Sequence, residues 1–184
     1  METGPDAPLR VAVIVGSTRE GRVGDRVALW VAEHAAKRHD MAPALVDLAD
    51  FTFPARYPSR PTADMAGFAA VVEDAEAFVV VTPEYNRSYP ASLKQAIDYA
   101  YDEWRAKPVG FASYGYQARG LYAVEHLRQV FTELHTVTMR CTAALDLATG
   151  VDASAEAAVR ALLDQLSWWG LALREARAAR PYVA

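Results

Sequence analysis

Three short stretches gather the side chains that could hold an anion or a flat ring. The first, residues 16–22, reads GSTREGR and sets Ser17, Thr18, Arg19 and Arg22 among glycines. A helical period takes over from Asp25, with Val27, Trp30, Val31, His34 and Ala35 on one side. A hydroxyl-and-arginine loop before a helix N-terminus suits a phosphate: loop amides, the helix dipole, hydroxyls and guanidiniums all offer positive character. The same residues would also serve an ordinary βα turn with solvated arginines. The second stretch, residues 83–90, reads PEYNRSYP. Pro83 and Pro90 stiffen its ends, Tyr85 and Tyr89 offer aromatic faces, Glu84 and Asn86 add polar groups, and its amides are expected to be free. The third, residues 113–119, reads SYGYQAR and again sets small donors beside aromatic rings. Together they suit a ligand with a phosphate at one end and a flat heteroaromatic at the other. Read singly, the tyrosines could be interface or core-edge residues, and Ser113 could cap the next helix.

Composition excludes several functions. The chain has 184 residues and a formal charge of −4, so no basic face for nucleic acid is expected. It contains no apolar run of about 18 residues, the length of a membrane span. The opening METGPDAP lacks a signal-peptide core and is expected to be a flexible leader, residues 1–8, on a cytoplasmic protein. Cys141 is the one cysteine, so no internal disulfide forms, and its apolar surroundings suggest a buried, inert thiol. The four histidines show no metal-ligand spacing. Gly-x-Gly-x-x-Gly and Gly-Lys-Ser/Thr are both missing after the first strand, which argues against a dinucleotide fold and a nucleoside-triphosphatase. The acidic residues of a phosphate-receiver domain are missing there too.

The elements that must position the three stretches follow from periodicity. Residues 9–15 form a β-branched apolar run ended by Gly16, a strand buried on both faces. Further strands are expected at 43–48, 77–82, 107–112 and 136–141. Helices are expected after Asp25, around 66–75, from Pro90 to about Tyr101, from Leu121 to Leu134, and from Asp152 or Ser154, with a charged tail from Arg174. The long connection 49–61 carries Phe51, Phe53, Pro54, Tyr57, Pro58 and Pro61 and reads as a packed surface, suited to a subunit contact. Strands alternating with helices give one α/β domain spanning 1–184, a doubly wound three-layer sandwich with a five-stranded parallel sheet. In the strand order 2-1-3-4-5, the loops after strands one, three and four share the carboxyl edge, where such sheets bind ligands.

These residues resemble the NADPH-dependent FMN reductase family of flavodoxin-like proteins. The resemblance covers roughly residues 9–173 and is strongest at GSTREGR, PEYNRSYPASLKQAID and EWRAKPVGFASYG. It implies that FMN phosphate is held by Ser17, Thr18, Arg19 and Arg22 with the backbone of Val23 and Gly24. Pro83, Glu84, Tyr85 and Asn86 would wrap one edge of the ring and the ribityl chain, and Ser113, Tyr114 and Gly115 would approach the pyrimidine edge. It further implies homodimers or homotetramers with flavin sites at the subunit boundary. Electrons would pass from NADPH (or NADH) to FMN and then, in a ping-pong scheme, to free flavin, a quinone or a partner flavin-dependent monooxygenase. No catalytic acid–base pair is expected, because the flavin carries the chemistry. Tyr116 and Arg119 stand where the family commonly has glycine, and their bulk is expected to narrow the space over the flavin. That departure keeps open a non-catalytic flavin- or quinone-binding protein. A one-electron flavodoxin fits less well, since such carriers are more acidic and lack arginines in the phosphate loop.

Overall fold

The computed structural model of the chain describes residues 7–183. Five strands, β1 (Leu9–Val15), β2 (Met41–Asp47), β3 (Ala77–Pro83), β4 (Pro108–Gly115) and β5 (Val137–Asp146), pair in parallel in the order β2-β1-β3-β4-β5. β1 and β3 lie at the centre, and β3 is buried at every position. That is why both read as unbroken apolar runs rather than alternating ones.

The two faces carry separate cores. On one, Val11, Val13 and Val15 pack under α1 (Gly24–Ala36) and α5 (Ala153–Ala179), meeting Val27, Val31 and Leu162. On the other, Ile14, Phe78 and Val80 pack under α2 (Ala63–Asp74), α3 (Ala91–Tyr99) and α4 (Leu121–Glu133). Trp104 is fully buried at the centre of this second layer, 4.6 Å from the Phe78 ring and 5.3 Å from Phe131. Its indole N–H donates to the Ile97 carbonyl at 3.2 Å, so the ring is buried without an orphaned donor. Each such side chain contributes roughly 1.5–3 kcal/mol of burial.

Several boundaries differ from those read in the sequence. β4 runs three residues past Ala112 and takes Ser113, Tyr114 and Gly115 into the sheet, so the third loop begins at Tyr116. β5 runs on to Asp146 through a register shift opposite Val109 and Phe111. Arg128 makes the shift possible by donating to the carbonyls of Met139, at 2.6 Å, and Arg140, at 3.1 Å. α5 continues through the charged tail to Ala179, since Arg174 and Arg177 dock on the amino end of the sheet. Leu121 and Trp169, apolar residues at helical spacing with the buried ones of α4 and α5, are substantially exposed. Of the expected leader, residues 1–6 lie outside the described residues. Ala7 and Pro8 are held through their carbonyls by Arg174. In the long connection, Phe51 and Phe53 pack on Phe68, while Tyr57 lies outside on Tyr99.

Candidate functional site

The loops after β1 (residues 16–23), β3 (84–90) and β4 (116–120) crown the carboxyl edge and enclose a cleft of about 970 Å³. That volume lies at the upper end of the roughly 300–1,000 Å³ of small-molecule sites. Nine residues singled out from the sequence line it: Ser17, Arg19, Arg22, Val23, Pro83, Glu84, Tyr85, Tyr114 and Gly115.

The first loop leaves β1 at Gly16, whose amide donates to the Val81 carbonyl at 2.9 Å. Ser17 is buried, and its hydroxyl lies 2.9 Å from that of Tyr85. Arg19 is exposed and lies 5.6 Å from the Tyr85 ring centre; among the described residues no carboxylate pairs with it. The loop delivers the chain into α1 at Val23, which has no side-chain acceptor; of the first-turn amides, that of Arg26 is taken by the Asp25 carboxylate at 2.8 Å, and those of Gly24 and Asp25 have no N-cap side chain to accept them. Gly24 is required here: a Cβ would stand 2.7 Å from the Tyr114 hydroxyl. Burial pushes the Tyr114 phenol up to about 12, so it keeps its proton across the neutral range.

The second loop closes on itself. The Tyr85 amide donates to the Ser88 carbonyl at 2.8 Å, and the Ser88 amide returns the bond at 3.0 Å. Asn86 and Arg87 between them have φ of 51° and 64°, the left-handed pair of a tight two-residue turn. The amides of Tyr85 and Ser88 are therefore committed, contrary to the expectation of a loop with free donors. The turn is tied to α4 by the Glu84 carboxylate, which accepts the Tyr122 amide at 3.3 Å, and by Ser88 and His126 at 3.0 Å. The Arg87 guanidinium lies 4.2 Å from the centre of the Tyr122 ring.

The third loop is set by buried Ser113, whose hydroxyl donates to the Arg119 carbonyl at 2.8 Å. Arg119 holds φ 52°, and Gly120 follows at φ 83° with its Cα against Ser113. A glycine would fit the Arg119 backbone without strain. Here the side chain instead reaches Asp146, 3.4 Å away. Tyr116 stands out at the rim, 69% exposed.

Four expected residues do not line the cleft. Thr18 and Asn86 are exposed outside it, Gly24 lies beneath Tyr114, and Ser113 is sealed within β4. Arg22 lines it but is already engaged, bonded to the Asp47 carboxylate and donating to the Ser17 carbonyl at 3.2 Å. Asp47 was missed in the sequence. The signal was the parallel pairing of strands one and two, which sets Asp47 opposite Val15 beside the first loop. Tyr122 and Leu147 also line the cleft, and neither residue type marks itself in the sequence.

The donor set fits a phosphorylated flavin: a helix start with no N-cap side chain, a guanidinium unpaired among the described residues and a hydroxyl stand beside the rings of Tyr85 and Tyr114. A family model described as NADPH-dependent FMN reductase matches residues 9–150. An NAD(P)H-dependent FMN reductase of Schizosaccharomyces pombe is 34% identical over 117 residues, 58% of each chain. A 2-hydroxy-1,4-benzoquinone reductase of a Burkholderia species is 33% identical over 138 residues, 71% of this chain and 74% of its own. The chain thus spans less than two thirds of the first curated relatives it matches. Among solved structures, the flavoenzyme NAD(P)H:(acceptor) oxidoreductase FerB of Paracoccus denitrificans shares the fold, with a TM-score of 0.70 and 24% identity over 88% of this chain and 97% of its own. From Leu9 to the end of the third loop and beyond, this chain belongs to the NADPH-dependent FMN reductase family.

Proposed function

We propose that this protein is an NAD(P)H-dependent FMN oxidoreductase that passes electrons on to a free flavin or a quinone. The observation that carries the reading is the convergence of three loops on one cleft, with Arg19, unpaired among the described residues, and the start of α1, without an N-cap side chain, at its phosphate-binding end. The relatives named as FMN and quinone reductases support the same chemistry.

Bound flavin supplies hydride acceptance and its onward transfer. The chain's residues bind and orient. Arg19 and the first-turn amides of α1 attract the phosphate, and Ser17 offers its hydroxyl beside them. Tyr85 and Pro83 form a rigid wall of the cleft, braced by Glu84 on α4, with the Tyr85 ring lying between Arg19 and the second loop. Glu84 is a positioning residue, because its carboxylate is spent on the Tyr122 amide. No side chain of the cleft is assigned as a proton donor or acceptor, and none is required.

NADPH is proposed as the preferred donor, with Arg87 facing its 2′-phosphate. Arg87 is stacked on Tyr122 with no acid partner among the described residues, whereas Arg119 is engaged by Asp146. Arg87→Ala is expected to lower the ratio of kcat/KM for NADPH over NADH about tenfold, and Arg119→Ala to leave it unchanged. A homodimer or homotetramer is the proposed assembly, the exposed Tyr57 on α3 being suited to a subunit contact. The cytoplasm is the proposed compartment. Among the described residues no helix is long and apolar enough to cross a membrane. A monooxygenase taking reduced FMN is one proposed recipient. Tyr116 and Arg119 both line the cleft, Tyr116 at its exposed rim and Arg119 held by Asp146.

The purified protein mixed with FMN under anaerobic conditions tests the reading. NADPH should bleach the visible flavin band at a rate set by enzyme concentration, and added benzoquinone should restore it. Bleaching no faster than in free FMN, at saturating protein, would contradict it.

A further inference from the structure

The first loop brings Arg19, Glu20 and Arg22 to the wall of the cleft, and the Asp47 carboxylate stands against Arg22. Of the first loop's two cleft-lining arginines, Arg19 has no acid partner among the described residues, whereas Arg22 is bonded to Asp47. Asp47 is not a loose surface acid. It terminates β2, its other oxygen accepts the Ala49 amide at 3.0 Å, and its side chain is 23% exposed. Arg22 is held on its opposite side by the Ser17 carbonyl, at 3.2 Å. The guanidinium is thus pinned between two acceptors of the chain, at the lip of the site.

We propose that Asp47 is an affinity-setting counter-charge that competes with the flavin phosphate for Arg22, so that FMN is held loosely and exchanges as a substrate. This rests on the proposed placement of the phosphate at the first loop. A dianion arriving there meets a guanidinium already sharing its charge, and meets the Asp47 carboxylate behind it. Both effects weaken binding of the phosphate and leave binding of the ring untouched. Loose binding matches a protein whose product is reduced flavin delivered elsewhere, with Arg19 left as the one first-loop guanidinium whose charge is undivided.

Equilibrium titration of FMN and riboflavin into the wild type, Asp47→Asn, Arg22→Ala and the double variant tests this, followed by quenching of flavin fluorescence. Asp47→Asn keeps an oxygen for the Ala49 amide and so preserves the turn. FMN should bind Asp47→Asn about tenfold more tightly than the wild type at low salt, with riboflavin unchanged. FMN should bind Arg22→Ala more weakly than the wild type, because Asp47 is left unneutralised, and the double variant should return close to the wild type. The gain in Asp47→Asn should shrink as salt is raised. Unchanged or weaker FMN binding in Asp47→Asn, with riboflavin binding intact, overturns the proposal alone and makes Asp47 an orienting residue. If FMN binds no better than riboflavin in every variant including the wild type, the placement of the phosphate fails and the proposal with it.

Discussion

The two ends of the sheet use arginine in opposite ways. At the amino end, Glu76 accepts two bonds from Arg174, each 2.7 Å, and one from the Arg10 amide at 3.1 Å. Arg174 spends its remaining N–H groups on the carbonyls of Ala7 and Pro8. Lys107 closes the end of α2 by donating to the carbonyls of Val72 and Glu73, and Arg177 donates to Ala106. Every one of those cations has a protein acceptor. At the carboxyl end, Arg19 has no carboxylate partner among the described residues and α1 begins without an N-cap side chain. The helices α2 and α5, by contrast, are capped by Thr62 and Asp152. Where the chain supplies the acceptor, the cation holds the fold together; where it withholds one, the donor is available to a ligand.

Breaking the amino-end network should show the largest effect. Glu76→Ala leaves Arg174 and Arg10 facing each other without their shared carboxylate and is expected to cost about 3 kcal/mol in urea unfolding. FMN affinity of the folded fraction should be unchanged. Arg19→Ala should do the reverse: FMN affinity falls roughly tenfold to a hundredfold, the worth of one charged hydrogen bond, and the unfolding midpoint stays close to wild type. If Glu76→Ala loosens FMN, or Arg19→Ala unfolds the protein, the division between the two ends fails.

The pH dependence sharpens the comparison with smaller effects. Burial pushes the Glu76 carboxyl up, but the bonds from Arg174 and the Arg10 amide outweigh it and hold it below its usual 4.5. A carboxyl depressed by folding gives its stabilisation fully above pH 4.5 and loses it as pH falls through that value and below. Glu76→Gln should flatten this acid limb of the stability profile. Lys107 acts in the opposite direction. Burial pushes its ammonium down to about 8 from 10.5, so the charged form is a cost to folding that is relieved as pH rises from 8 to 10.5. The stability of the wild type relative to Lys107→Met should improve over that interval.

Much of this architecture was legible in residue order. The apolar runs of β1 and β3 identify themselves because both faces are covered, and the alternation with helices fixes a parallel sheet. The placement of Arg19, Tyr85 and Tyr114 around one cleft followed from the strand order. What stayed hidden depended on partners far away in the chain. Ser113 reads as a loop donor until β5 pairs alongside it and Arg119 turns its carbonyl inward. Arg22 reads as a free cation until β2 brings the Asp47 carboxylate against it at the wall of the cleft. The tail arginines look solvated until Glu76, 98 residues earlier, receives Arg174 and the Ala106 carbonyl receives Arg177. The second-loop amides look free because a turn with Arg87 in the left-handed region is not a pattern that composition reveals.

The central claim is that the phosphate of a flavin mononucleotide is held at the first loop by Arg19 and the start of α1. Side-by-side titration of FMN and riboflavin into wild type and Arg19→Ala measures it most directly. The account predicts that the wild type prefers FMN and that Arg19→Ala loses most of that preference while keeping its affinity for riboflavin. Equal affinities for both flavins in the wild type, or an undiminished preference in Arg19→Ala, would contradict it.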